Sequence, residues 1–348
     1  MLGISVYFST LDNDYLDQAI AHGVTVIFTS LHIPEEELVD LDHSVKKLLA
    51  YQSNNKLKIV TDVSPVTFQK LGLKPNDFKR LKKMGFTALR LDFGFDNLML
   101  VKSLLDDFEI FLNASVISKQ YLEDCVAQGI DPSRLNVCHN FYPKKETGLS
   151  DDYYCEINEK FKAYGLPIYT FVPGDRLKRF PLYEGLPTLE SQRGKNTYIA
   201  GLELYKRFGI KDIIVGDTMA LDSSIRYLND FFETHIMTLP VSMLEPTEDE
   251  KKMIPVRKDL SAKVIRLESD RIKELPIKTT QSRQKGTITQ ENTLSGRYSG
   301  EIQIAKEDLP FSATSNTIGF VHPAYSEALN YVDSETIIKF VPFSDILL

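Results

Sequence analysis

The side chains best suited to chemistry in this 348-residue chain stand just behind short apolar runs. In chain order they are Ser9, then Ser30 with His32, Asp62, and Arg90 with Asp92. Asn113 with Ser115 comes next, followed by His139 with Asn140 and Tyr142, then Asp175, and finally Asp217. The segment FPLYEGLPTLESQR adds Glu184, Glu190 and Arg193. This set is rich in carboxylates and amides and poor in clustered histidine. Paired carboxylates can break a glycosidic bond: one acid protonates the leaving oxygen, and the second carboxylate attacks or activates water. Asp92 with Glu184 is the expected catalytic pair, with Glu190 in reserve. Asp92 and Arg90, two apart on a strand, point the same way and pair as easily for structure as for chemistry. Glu190 and Arg193, three apart, can pair on one helical turn. The sequence leaves these readings open. A metal held by Asp62, Asp92, His139 and Asp217 lacks any compact ligand motif, so neither metal nor cofactor is expected. The serine elbow GxSxG and the phosphate loop GxxxxGK[ST] are both missing. Asp92-Phe93-Gly94 spells a kinase triplet, but no HRD loop accompanies it.

The runs that must position these groups are GISVYFS from Gly3, VTVIFTS from Val24, KLKIVTDVS from Lys56 and ALRLDFGF from Ala88. FEIFLNAS from Phe108, RLNVCHNFY from Arg134, PIYTFVPGD from Pro167 and DIIVGDT from Asp212 complete them. Each is short, nearly continuous and rich in Val, Ile, Leu or Phe, which suits strands covered on both faces of a parallel sheet. Amphipathic segments lie between them. Pro34 before Glu35, Glu36 and Glu37, and Asn76-Asp77 before FKRLKKM, read as helix starts. Gly23, Gly85, Gly129, Gly165 and Gly209 read as stops. Strands alternating with helices in this number predict an α/β fold, a (β/α)₈ barrel. The competing open, doubly wound sheet lacks its Gly-rich first turn.

After Thr238 the pattern changes. PVSMLEPTEDEKKMIP reads as a polar linker or cover, and KVIRL, KGTITQ, YSGEIQIA, NTIGFV and ETIIKFV read as short strands. The expected division is a barrel over 1–237 and a small β-rich domain over 238–348.

Lys+Arg is 41 against Asp+Glu 48, a net charge of −7, which argues against a nucleic-acid or anionic-membrane partner. The three cysteines, Cys125, Cys138 and Cys155, have no CxxC spacing. No Lys or Arg precedes Lys46, and no apolar run is long enough to span a bilayer, so a cytoplasmic protein is expected. Trp is absent, which disfavours a long polysaccharide as substrate.

CHNFYPKKETGLS (Cys138 to Ser150) and PLYEGLPTLESQR (Pro181 to Arg193) resemble motifs of the 6-phospho-N-acetylmuramidase family. GISVYFS, TDVSP, LRLDFGF and LNAS are similar to its other strand signatures, in the same order, and SRQKGTITQENTLSGRYSGEIQI to its C-terminal domain. The resemblance implies a barrel followed by a cyclophilin-like β-domain. It also implies cytoplasmic cleavage of N-acetylmuramic acid 6-phosphate from N-acetylglucosamine, in a disaccharide imported during peptidoglycan recycling. It implies no secure catalytic pair; Asp92 and Glu184 come from strand position and chemistry.

That substrate carries a lactyl carboxylate and a phosphate, and planar guanidinium groups bind both well. Arg193, Arg283 and Arg297 are the expected anion binders, each competing with an ordinary solvated surface role. Asn113, Asn140, His139 and Tyr142 suit the hydroxyls and acetamide of the sugar, and Arg90 and Thr147 complete the expected binding set. For His139 a buried, backbone-satisfied role is the alternative. Two other readings stay open: a phosphosugar lyase or etherase on the same barrel, and a non-catalytic sugar-phosphate binder. A homodimer is also compatible with the sequence.

Overall fold

The computed structural model describes residues 1–31, 41–55, 57–95, 97–245 and 252–346. His32 and the Pro34 helix start lie outside the described residues. The chain separates into two compact units, Met1–Ile225 and Arg226–Leu348.

In the first unit, β1 (Leu2–Ser5), β2 (Val26–Ser30), β3 (Lys58–Val63), β4 (Ala88–Leu91), β5 (Glu109–Asn113), β6 (Leu135–Cys138), β7 (Ile168–Val172) and β8 (Asp212–Val215) form a closed barrel. All pairings are parallel, and β8 returns to β1 through Leu2↔Ile213 to Ile4↔Val215. This is the (β/α)₈ barrel, and the open sheet is excluded by that closing pair. The helices between strands begin where short polar side chains cap them. Asp12, Asp77, Asn97, Ser118, Ser150 and Asn196 each accept a backbone N–H from the first turn. Gly85 ends the helix Phe78–Met84 at φ 111°, a left-handed position that side-chain-bearing residues avoid.

Strand alternation decides what faces the barrel interior. Val26 and Phe28, Val60, Ala88, Phe111, Cys138, Tyr169 with Phe171, and Ile214 form one buried apolar layer. Two residues further along the same strands, on the same face, come Ser30, Asp62, Arg90, Asn113 and Asn140. A polar layer therefore caps an apolar plug, at the C-terminal ends of the strands. Phe171 ties the two together: its ring meets Phe28 edge-on at 4.9 Å and Phe141, on the loop after β6, at 5.1 Å.

In the second unit β9 (Ile236–Met243), β10 (Met253–Pro255), β11 (Val264–Arg266), β12 (Thr287–Glu291), β13 (Ile302–Ala305), β14 (Ser315–Val321) and β15 (Ile337–Pro342) make one seven-stranded sheet, in the order β10-β15-β9-β14-β12-β13-β11. The runs expected as strands become β11 to β15. The stretch expected as linker from Pro240 is different. Pro240 to Met243 complete β9, a central strand paired with β15 and β14, and Met253 to Pro255 form β10. Proline in a strand signals an edge or a break. Here its missing N–H falls just past the end of the β14 pairing, which stops at Val321↔Val241. Residues 246–251 lie outside the described residues.

Phe171 is wholly buried. Its replacement by alanine is expected to destabilise the barrel by about 3–5 kcal/mol, because the plug cannot collapse around the lost ring. A lowered urea midpoint with an unchanged slope checks this.

Candidate active site at the barrel mouth

Arg90 stands at the centre of the polar layer with its side chain 3% exposed. Its Nη1 donates to Asp62 Oδ1 at 2.7 Å and to Asp92 Oδ1 at 3.4 Å. Its Nη2 donates to Asn140 Oδ1, and its Nε to the Cys138 carbonyl at 3.2 Å. Burial works against the guanidinium's charge, but Asp62, and beyond it Cys138 and Asp92, raise its pKa above the usual arginine value. Arg90, expected to touch substrate, is thus the hub that holds β3, β4 and β6 together. Cys138 beneath it is a buried thiol pushed up to about 12 by burial.

Asp92 is the more open of the two carboxylates, with 23% of its side chain exposed against 11% for Asp62. Asn113 Nδ2 donates to Asp92 Oδ1 at 3.0 Å, and Asn113 Oδ1 accepts the Ser115 N–H. Ser115 Oγ in turn accepts the Asn140 N–H at 2.9 Å and lies 3.4 Å from His139 Nδ1. His139 has no exposed surface, and its Nε2 meets Asn158 Oδ1 at 2.8 Å. Burial pushes its pKa down to about 4, so it is neutral. The expectation that His139 meets a sugar is corrected: it sits behind the wall and orients Ser115, and through it Asn140. Asn113 and Asn140 do stand at the mouth beside Asp92.

The two expected glutamates do different work. Glu190 accepts Arg193 Nε at 2.6 Å and Nη2 at 2.7 Å. It also accepts the backbone N–H of Glu146 at 2.9 Å and of Gly148 at 2.8 Å. The Arg193 hydrogen bonds, joined by these N–H groups, draw its pKa down to about 2. Arg193 uses its remaining N–H groups on the carbonyls of Tyr142, Glu184 and Gly185. A guanidinium has five N–H donors, and here all are engaged within the protein. Glu190 and Arg193 therefore form a clamp between the loops after β6 and β7, and neither is placed as an acid or an anion binder. Gly148 fits this clamp because a Cβ there would meet Glu190 Oε2 at 2.6 Å.

Glu184 lies on the rim. It accepts the Lys145 N–H at 2.9 Å and pairs with Lys145 Nζ at 3.2 Å. The backbone N–H and then the side chain of Lys145 lower its pKa. Tyr142, half-buried, gives its N–H to the Pro187 carbonyl, and exposed Thr147 gives its hydroxyl to the Lys144 carbonyl. Both lie in the clamped loop.

The loop after β7 is shaped by Asp175 on it and by Asp217 after β8, both strand-end candidates, and it carries Arg179, which pattern reading passed over. Asp217, 1% exposed, accepts N–H groups from Gly174 at 2.8 Å, Arg179 at 3.0 Å and Leu186 at 3.0 Å. Burial raises its pKa against the pull of those three donors. Asp175 accepts from Asn196, Thr197, Ser224 and Leu221. These two carboxylates shape the loop. On the shaped loop the Arg179 guanidinium lies 4.3 Å from the centre of the Tyr7 ring. Tyr7 is buried, and its hydroxyl donates to the Gly216 carbonyl at 2.6 Å. The signal for Arg179 was present as three cations in four residues, Arg176, Lys178 and Arg179, on the loop where barrels commonly bind phosphate.

Asp62, Asp92, His139 and Asp217 do not converge on a metal: among the described residues no group of three or more His, Cys, Asp or Glu could hold one. Cys125, Cys138 and Cys155 are unbridged. No helix among the described residues is long and apolar enough to cross a membrane. In the second unit, Arg283 Nε donates to the Pro310 carbonyl at 3.3 Å and exposed Arg297 donates to the Tyr298 hydroxyl at 2.7 Å.

Residues 2–230 match the family described as 6-phospho-N-acetylmuramidase, N-terminal, and residues 237–341 match its C-terminal counterpart. Among solved structures, a conserved protein of unknown function from a locus in Enterococcus faecalis is 30% identical. The alignment covers 99% of this chain and 97% of that one, with a TM-score of 0.88. An uncharacterised B. cereus protein is 25% identical over 98% of this chain and 99% of its own, with a TM-score of 0.75. No curated protein matches the chain.

The clamp has a pH signature. Glu190 is depressed to about 2 when folded, against ~4.3 when unfolded. Its contribution is present in full above the unfolded value and lost as pH falls from there towards the folded value. Glu190→Gln is expected to lower stability at neutral pH by about 1–3 kcal/mol, allowing for its partial exposure. The gap between variant and parent should close on acidification through that window; denaturant titrations at stepped pH read it.

Proposed function

We propose that this chain, which belongs to the 6-phospho-N-acetylmuramidase family, is a cytoplasmic glycoside hydrolase. It would release N-acetylmuramic acid 6-phosphate from N-acetylglucosamine in the phosphorylated disaccharide, as part of peptidoglycan recycling. One observation carries the proposal beyond the family match. The mouth of the barrel presents one partly exposed carboxylate, Asp92, held by Arg90 and Asn113 among groups suited to a hydroxylated, amide-bearing ring. Elimination of the lactyl ether would also call on a base, so the two reactions are separated by their products.

In a two-carboxylate reaction, Asp92 takes the role of the group that attacks the anomeric carbon or activates water. Accepting from a guanidinium and an amide, it is disposed as an acceptor and not as a proton source. Glu184 is the proposed proton donor. Its Lys145 contacts keep it ionised in the free chain, so donation requires the substrate to take over those contacts. Glu190 leaves the catalytic set, because its clamp would have to break.

Asp92→Asn is expected to lower turnover of the 6-phosphorylated disaccharide by ~10²–10⁴-fold, with the melting temperature retained. Near-normal turnover would remove Asp92 from the reaction. In water labelled with heavy oxygen, label in the N-acetylmuramic acid 6-phosphate product indicates hydrolysis, whereas released lactate would indicate ether cleavage.

Lys145→Met separates the roles of Glu184. It removes the ammonium and leaves the backbone N–H, so the Glu184 pKa rises. An acid that must be protonated then works to higher pH, and the basic limb of the kcat/KM profile should move upward. An unmoved limb would take proton donation away from Glu184.

A further inference from the structure

We infer that Tyr298 and the arginines gathered on it in the second unit, Arg271 and Arg297 foremost, form a binding site for a phosphate monoester, whatever reaction the barrel performs.

The first support is convergence. Three guanidinium groups surround one phenol ring. Arg297 lies 4.9 Å from its centre, and Arg266 and Arg271 lie 5.9 Å from it. Arg266 ends β11, Arg271 follows on the segment beyond it, and Arg297 sits in the turn Thr293–Tyr298 after β12. Only Arg297 is beside Tyr298 in sequence; the fold brings the other two.

The second support is construction. The segment carrying Arg271 is tied to the end of the turn: the Ile272 N–H donates to the Ser299 carbonyl at 3.0 Å, and Ser299 Oγ donates to the Ile272 carbonyl at 2.7 Å. Within the turn, Ser295 donates to the buried Glu291, and Asn292 Oδ1 accepts the Leu294 N–H at 3.0 Å. Glu301 has no exposed surface. It accepts Arg266 Nε at 2.7 Å and Nη2 at 2.9 Å, and Arg271 Nη2 at 2.6 Å. One buried carboxylate thus orients two guanidinium groups.

The third support is charge. Asp259 is answered by Arg257 in a two-point pair at 2.9 and 3.1 Å, and Glu301 by Arg266. Within this set Arg271 and Arg297 are two cations in excess, in a chain whose total charge is −7. Glu268 and Asp270, the acids just before Arg271, line a cleft beside β10 whose wall includes Lys252.

The donors indicate the ligand. A carboxylate is satisfied by one guanidinium fork, whereas a tetrahedral dianion can take donors from several directions. The Tyr298 hydroxyl accepts Arg297 Nη2 at 2.7 Å and has its own proton to give. Arg271, Arg297 and Tyr298 are all exposed, so a ligand can reach them.

The test uses the full chain with ring-labelled tyrosine, inorganic phosphate as the probe and acetate as the control, read by NMR. The Tyr298 resonance, identified by its loss in Tyr298→Phe, is expected to shift saturably with phosphate and not with acetate. Arg297→Ala and Arg271→Ala should each weaken phosphate binding by about 10- to 100-fold, the loss of charge-assisted hydrogen bonds. No saturable shift, a shift that acetate matches, or one that survives both substitutions overturns the site. Kinetics separates the two sources of such a phosphate. If the ester is the substrate's own, Arg297→Ala lowers kcat/KM for the 6-phosphorylated disaccharide and not for its unphosphorylated form. If it is a separate phosphorylated metabolite, both values keep the parent's level while phosphate binding is lost. If the parent protein cleaves neither disaccharide, the hydrolase reading fails, and the phosphate titration still decides the site.

Discussion

A guanidinium in the interior of a strand barrel must be paired, since an uncompensated buried charge is among the most unfavourable features a fold can carry. Arg90 meets that demand with acceptors from three strand ends: Asp62 from β3, Asp92 just beyond β4, and Cys138 with Asn140 at the end of β6. Much of the mouth follows from it. Asp92, so held, accepts Asn113, which orients Ser115, which receives the Asn140 N–H. The carbonyl of Asn140 accepts the Thr188 hydroxyl, and this carries the network into the loop after β7. Asp92, the carboxylate proposed to react, and the Asn113 and Asn140 amides belong to one hydrogen-bonded frame built on an apolar plug. That is how a reacting group is kept in place without direct packing around it.

The carboxylates of the first unit fall into two kinds by what they accept. Glu190, Asp217 and Asp175 each take two or more donors from loop backbone or from side chains nearby in their own loops. They give irregular segments the hydrogen bonds that regular structure would otherwise supply. Asp92 accepts from the Arg90 and Asn113 side chains and keeps part of its surface open. Glu184 lies between the kinds, with one backbone donor and one exposed lysine. The loops after β6 and β7 are therefore ordered by acids that accept their backbone N–H groups.

The barrel was legible because each strand is nearly continuous in Val, Ile, Leu and Phe, and the period of two then places Ser30, Asp62, Arg90, Asn113 and Asn140 on one face. What was illegible has physical causes. Pro240 disguised β9, since whether a proline's missing N–H matters depends on where the neighbouring strand stops. His139 and Asn140 are adjacent in sequence and differ by one step of the pleat, which buries the first and turns the second to the mouth. Glu190 and Arg193 have the spacing of an ordinary helical pair. Nothing in that spacing tells that the arginine also gathers three carbonyls from two loops. Arg179 depends on a partner more than 170 residues away in the chain, Tyr7, and such a pairing has no local pattern.

The same accounting resolves an apparent conflict between a net charge of −7 and the doubly anionic substrate proposed above. A ligand in a cleft feels nearby charges far more than the total, which salt screens over about a Debye length. Glu190 at the mouth is offset by Arg193, Asp62 by Arg90, and Asp217 and Asp175 by N–H dipoles. Their charges are turned inward and answered there. On the loop that Asp175 and Asp217 order, Arg176, Lys178 and Arg179 lie within four residues. An acidic total charge is thus compatible with an anionic ligand, because the acids of the mouth are answered where they stand.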